Sequence, residues 1–99
     1  MNTNEIREQQ RQTWNKFSTG WKKWDEHVLS WLKPVGDELI KSVSLKEKYN
    51  VLDAATGTGE PGLTAATFVP NGKVTGQDLA EDMLELAKEN ARIRGIKNY

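Results

Sequence analysis

The run Gly57-Thr58-Gly59-Glu60-Pro61-Gly62 fits G-x-G-x-x-G, and it directly follows a short apolar stretch that ends in a carboxylate, Asp53. Nineteen residues beyond Gly59 a second carboxylate, Asp78, closes another short apolar stretch. Backbone without side chains lets a nucleotide-like cofactor come close, and an acid at that distance can hold its ribose hydroxyls. In a chain with eight glycines the motif alone is unspecific. Its place between an expected strand and an expected helix makes it informative. Charge then separates the ligands that use such loops. A dinucleotide pyrophosphate is an anion seated over a helix amino terminus, and Asp53 and Glu60 would repel it. The two acids suit a ligand with a positive amino or sulfonium group, such as S-adenosylmethionine.

The elements that must position these residues change character near Lys48. Before it, apolar residues recur at Trp14, Phe17, Trp21, Trp24, Val28, Trp31 and Val35, steps of three and four that share one helical face. Gly20 and Pro34 punctuate that run. The expectation is therefore three helices, about 4–18, 21–32 and 34–44, with Pro34 in a first turn. A coiled-coil seam is the alternative that the seven-residue spacing raises. The aromatic stripe is expected to pack on the rest of the domain, with some of its rings also forming the lid of an apolar pocket. After Lys48, residues 49–54 read as a buried parallel strand. A helix over 60–69 with Pro61 in its first turn follows, then a Pro-Asn-Gly turn at 70–72, a strand over 73–77 and a helix over 79–94. Gly95 stops that last helix. A strand–helix–strand–helix unit is parallel when its crossover is right-handed. The fold class is α/β, with residues 1–48 an aromatic-rich helical segment and 49–99 the first half of a Rossmann-like cofactor domain.

Composition narrows the function classes. Ninety-nine residues make at most one small domain. Acidic and basic groups balance at 14 each. Residues 1–48 carry 9 basic against 7 acidic groups, and 49–99 carry 5 against 7, so no polyanion-binding face is expected and nucleic acid is not read as a partner. The lack of cysteine removes a disulfide framework and a thiolate site. No metal ligand set is read, no run approaches a membrane span, and the polar start lacks a signal-peptide core. A cytoplasmic setting fits these features.

The stretch Val51-Leu52-Asp53-Ala54-Ala55-Thr56-Gly57-Thr58-Gly59-Glu60 resembles the first motif of class I S-adenosylmethionine-dependent methyltransferases. Gly72 to Leu84 is similar to their second-strand motif, and Trp14 to Trp31 to the amino-terminal helices of the ubiquinone/menaquinone-biosynthesis-type subgroup. The resemblance implies a partial Rossmann-like methyltransferase fold. It implies that Asp53 and the backbone of Ala55, Gly57 and Gly59 hold the methionine part of the cofactor, S-adenosyl-L-methionine. Asp78 would take the ribose hydroxyls and Leu79 would lie against the adenine. An acid near a helix amino terminus is favourable in itself, which is the structural alternative for Asp78. Two departures stand out. Ala55-Thr56 replaces the common Gly-Cys, and Ala80 stands where a serine commonly caps the next helix, at a cost of about 1 kcal/mol and some local fraying.

Methyl transfer needs alignment more than side-chain chemistry, because the sulfonium is already activated. His27, the only histidine, is a candidate base beside a packing or solvent-facing role, and the catalytic group is left unknown. Class I enzymes have seven strands and two are read here. The expectation is the cofactor-binding amino-terminal portion of a small-molecule methyltransferase, inactive by itself, with an apolar ring compound as the family-level acceptor. Open strand edges and the aromatic helices would favour a homodimer. An NAD-type Rossmann fragment and a non-enzymatic helical interaction module are the rival readings.

Overall fold

A computed structural model describes residues 1–99, in the order α1 (Thr3–Val43), β1 (Asn50–Ala54), α2 (Gly62–Phe68), β2 (Lys73–Gln77) and α3 (Glu81–Ile93). Asn2 caps α1 through Glu5 N–H at 2.9 Å, and Ser44 ends it in the left-handed region at φ 50°. The three expected amino-terminal helices are one helix of 41 residues that runs through Gly20 and Pro34. Proline removes one donor from the ladder and glycine weakens it, but neither abolishes the neighbouring bonds. A straight helix of that length would reach about 60 Å. The longest dimension of the molecule is 43 Å, so α1 must bend around the remainder. Proline and glycine are the usual places for such a bend.

The face that α1 turns inward differs in part from the expected one. Its covered positions are Arg11, Asn15, Ser18, Trp21, Asp25, Val28, Leu29, Gly36 and Ile40, a mixture of apolar residues with polar ones and a glycine. Phe17, Trp24 and Trp31 point away from the domain, with Trp24 55% and Trp31 69% exposed. The aromatic stripe is thus mostly on the outside, and a core role for it is not observed. Polar ties take its place. Arg11 pairs with Glu81, and Asn15 Oδ1 accepts from Asp82 N–H at 3.0 Å. Arg11 is held above its usual range mainly by hydrogen bonds to Glu8 and Glu81, and the same ion pairing draws Glu8 down to about 2.

β1 and β2 pair in parallel, with Val51 opposite Val74 and Asp53 opposite Gly76. One face of this pair is covered, and Ile40, Ala65, Ala66, Val69 and Val74 form the core there. The other face is open, with Leu52 63% exposed, so β1 is not the fully buried strand its apolar run suggests. Asn98 C=O accepts from Val74 N–H, and the Asn98 side chain takes the last carbonyls of α2. The carboxyl-terminal residues therefore lie along β2 on the side away from β1.

Two helix ends depart from expectation. α2 begins at Gly62, with Pro61 at its cap position instead of inside its first turn. Ala80 gives α3 no side-chain cap, as its type requires, but Asp78 Oδ1 accepts from Ala80 N–H at 2.9 Å and Asn15 serves Asp82. Acceptors borrowed from outside the helix thus serve two of its amino-terminal donors in place of the missing serine. Gly95 follows α3 with φ 67°, as the stop signal requires.

Gly20 has nothing within 4 Å of an added Cβ and lies in the interior of α1. Gly20→Ala is expected to stabilise the protein by up to about 1 kcal/mol, since alanine is the better helix former. Chemical denaturation of both proteins checks this, and a lower midpoint for the variant would contradict it.

Candidate functional site

The glycine loop lies between the end of β1 and the start of α2, and its geometry follows from its residue types. Gly57 has φ 57° and Gly59 φ 116°, values that side-chain-bearing residues avoid. Ala55 also sits at φ 55°. A residue with a Cβ bears about 1–2 kcal/mol of strain there, which explains physically why glycine is the common choice at that position.

Two carboxylates fix the loop from opposite sides. Behind it, Asp53 Oδ2 accepts from Thr56 Oγ1 at 2.7 Å and from Gly62 N–H at 3.0 Å. The Thr56 hydroxyl also meets the Tyr99 hydroxyl at 2.7 Å, and an added Cβ on Gly76 would lie 2.2 Å from that phenol oxygen. Burial pushes the Tyr99 phenol above its ordinary range, against the hydrogen bond with Thr56, with the charges of Asp53, Asp78 and Glu60 adding to the rise. In front, Asp78 Oδ2 accepts from Gly57 N–H at 2.9 Å while its other oxygen takes Ala80 N–H. One acid therefore joins the glycine loop to the start of α3. Each carboxylate oxygen has a second lone pair, so both remain able to accept from a ligand hydroxyl.

A cavity of about 430 Å³ opens in front of the loop. Of the residues expected to contact a cofactor, Ala55, Gly57, Asp78 and Leu79 line it, whereas Asp53 and Gly59 do not and support the loop from behind. Its walls also include Glu60, the loop acid expected to favour a positive ligand group, and Trp14, Trp21, Asp25, Thr58 and Met83, which the loop motif does not indicate as cofactor contacts. The two tryptophans belong to the expected aromatic lid. Asp25 carried no sequence signal, because a lone acid in a helix of balanced charge looks like a solvated surface residue. Asp25, Glu60 and Asp78 are the charged groups of this wall, and no basic side chain is among them. Such a lining attracts a cation and disfavours a pyrophosphate, and so it fits S-adenosylmethionine with its ammonium and sulfonium groups.

A second cavity of about 550 Å³ lies beside the first and shares Leu29, Leu32 and Glu60 with it. Its wall includes Leu29, Leu32, Val35 and Leu39 of α1, Pro61 at the cap of α2 and Thr64 within it. Glu60 is mostly covered, bonds Thr64 Oγ1 at 2.8 Å and pairs with Arg94. His27 lines neither cavity; its ring rests against Trp31 at 4.6 Å and near Trp24 at 6.2 Å. It belongs to the exposed aromatic stripe.

A parallel β-α-β-α unit with a glycine loop over an acid-lined cavity defines a Rossmann-like cofactor-binding chain. Residues 45–99 match the family described as methyltransferase domain, and the chain belongs to that family. The chain is similar to the release factor glutamine methyltransferase of Deinococcus radiodurans, with 39% identity over 66 residues, or 67% of this chain and 23% of that protein. It is also similar to the demethylmenaquinone methyltransferase of Thermus thermophilus, with 38% identity over 52 residues, or 52% of this chain and 24% of that protein. The chain thus spans about a quarter of the length of these curated relatives. Among solved structures, a SAM dependent methyltransferase from Aquifex aeolicus superposes with a TM-score of 0.58 at 34% identity, covering 64% of this chain and 34% of that one. The fold is therefore the Rossmann-like methyltransferase fold in part, and the cofactor of the family is S-adenosylmethionine. No helix is long and apolar enough to cross a membrane.

Proposed function

We propose that this chain is the S-adenosylmethionine-binding portion of a small-molecule methyltransferase. The observation that carries the reading is the cavity in front of the glycine loop, where Gly57 backbone, Asp78 and Leu79 meet a wall with acids and no basic side chain. In this reading the Asp78 carboxylate accepts from the ribose hydroxyls and Leu79 lies against the adenine. The backbone of Ala55, Gly57 and Thr58 flanks the methionine part. Asp53 and Gly59 serve that contact indirectly, by keeping the loop in shape. The bound cofactor supplies an activated methyl group. The chain's own residues bind and orient it and keep water from one side of it, which is what alignment-controlled transfer requires.

For the acceptor, the finer reading is an apolar ring compound of the kind handled by the ubiquinone/menaquinone-biosynthesis-type subgroup. Trp14 and Trp21 in the cavity wall and the Thermus thermophilus relative support it. The release factor relatives favour a second reading, a glutamine side chain of a protein acceptor. On either reading the 99-residue chain is expected to bind cofactor without turning over, since its matched part covers only about a quarter of these relatives' length. We further propose self-association through the exposed aromatic face of α1 and the open edge of β1; a purely monomeric species in light scattering at high concentration would remove that proposal.

Calorimetric titration with S-adenosylhomocysteine and, separately, with NAD tests the cofactor reading. Saturable binding of the first and none of the second is expected. Preference for NAD would replace the reading with a dinucleotide site. Failure to bind either by a folded chain would replace it with a helical interaction module.

A further inference from the structure

We propose that Asp25, in the middle of α1, is a positioning residue for the glycine loop: its carboxylate clamps Thr58 and Asn90 and so holds the loop in the form that accepts the cofactor. The proposal rests on the cofactor reading above for its functional half, and on geometry alone for its structural half. One oxygen of Asp25 accepts from Thr58 Oγ1 at 2.7 Å, and the other accepts from Asn90 Nδ2 at 3.2 Å. Asn90 Nδ2 also donates to the Thr58 carbonyl at 2.8 Å. Thr58 is therefore gripped at both its side chain and its backbone, by α1 on one side and α3 on the other.

The location of the grip gives it meaning. Thr58 stands between Gly57 and Gly59, the two residues of the loop with positive φ among glycines. Glycine has the widest choice of backbone conformations, so the segment with the most freedom to rearrange carries its anchor on the one side chain within it. Asp25 is half-buried, yet no lysine, arginine or histidine forms a salt bridge with it. Removing an acid from water without a cation costs free energy unless hydrogen-bond donors replace the solvent, and here the only side-chain donors are a loop hydroxyl and the amide that holds that loop. An aspartate is also a weak helix former. Nothing in α1 itself accounts for it, whereas the loop does.

The test uses the full 99-residue chain and the variants Asp25→Ala, Thr58→Val and the double variant. Two quantities are read: the ¹⁵N heteronuclear NOE of the Gly57, Thr58 and Gly59 amides without ligand, and the dissociation constant for S-adenosylhomocysteine. If Asp25 works through Thr58, each single variant lowers the three NOE values and weakens binding about ten-fold, the worth of one charge-assisted hydrogen bond. The double variant is then no worse than the poorer single one. Unchanged loop NOE values in Asp25→Ala would overturn the proposal. So would additive losses in affinity with an unmoved loop, which would mark direct contact between Asp25 and the ligand. Asp25→Asn serves if the alanine variant does not fold. It keeps an acceptor for Thr58 but sets an amide against Asn90, so an intermediate loop NOE is expected, and a wild-type value would count against the clamp. Should the wild-type chain bind no S-adenosylhomocysteine, the cofactor reading fails, and the NOE comparison still decides whether the clamp exists.

Discussion

Gly59→Ala is expected to destabilise the chain by about 2–4 kcal/mol, combining a strained backbone with a steric clash, and to abolish cofactor binding with it. Gly59 has φ 116°, which an alanine adopts only with strain. An added Cβ would also lie 2.6 Å from Leu63 Cδ1 and 2.9 Å from Leu63 Cγ. A flexible side chain on the surface could swing aside. Leu63 cannot do so easily, because it is fully buried, and Ala87 lies only 3.5 Å from the same point on the other side. The outcome is either a displaced Leu63, which disturbs the packing beneath the loop, or a displaced loop, which removes Thr58 from its partners. Thermal unfolding followed by circular dichroism measures the loss. A melting temperature within a degree of the parent would mean that the loop relaxes freely, contrary to the packing seen here. Gly20→Ala is the matched control, the same substitution with open space around it.

Asp78→Ala is expected to weaken binding of S-adenosylhomocysteine by about 100-fold, the equivalent of one or two hydrogen bonds to a charged group. The carboxylate already holds Gly57 N–H and Ala80 N–H. Its removal therefore takes away the proposed ribose acceptor, the tie between the two loops and the borrowed cap of α3 together. Asp78→Asn keeps one acceptor oxygen and should fall between the parent and the alanine variant. Titration calorimetry gives the affinities, and a melting curve for each variant separates lost binding from lost fold. Unaltered affinity in a folded Asp78→Ala protein would show that the acid serves only α3, which is the structural alternative raised by its place near a helix amino terminus.

The second half of the chain was legible because its signals are local. The apolar runs at 49–54 and 73–77, the glycine loop and the turn at 70–72 each announce themselves within a few residues, and the strands and α3 follow from them. The first half was less legible. Hydrophobic period correctly indicated helix, yet the breakers Gly20 and Pro34 suggested three pieces where one bends. The same period placed Trp21 and Val28 inward correctly but not Phe17, Trp24 and Trp31, which are exposed. The polar inward residues of α1 are chosen by partners far along the chain: Arg11 for Glu81, Asn15 for Asp82 N–H, and Asp25 for Thr58 and Asn90. Those partners lie 70, 67, 33 and 65 residues away, and periodicity cannot register them. The candidate site divides in the same way. Asp78 and the loop glycines follow from spacing, while Asp25 and Thr58 emerge only when two helices are brought against the loop.

One helix walls both cavities, since residues 14–32 of α1 border the one in front of the loop and residues 26–39 border its neighbour. A ligand that touches α1 in either cavity favours the arrangement with α1 in place, and by linkage it raises the share of molecules in that arrangement. The effect is reciprocal: occupancy of one cavity strengthens the other by the same factor. Cofactor and a ligand in the neighbouring cavity would thus bind cooperatively without touching, each meeting a wall that the other has already set in position.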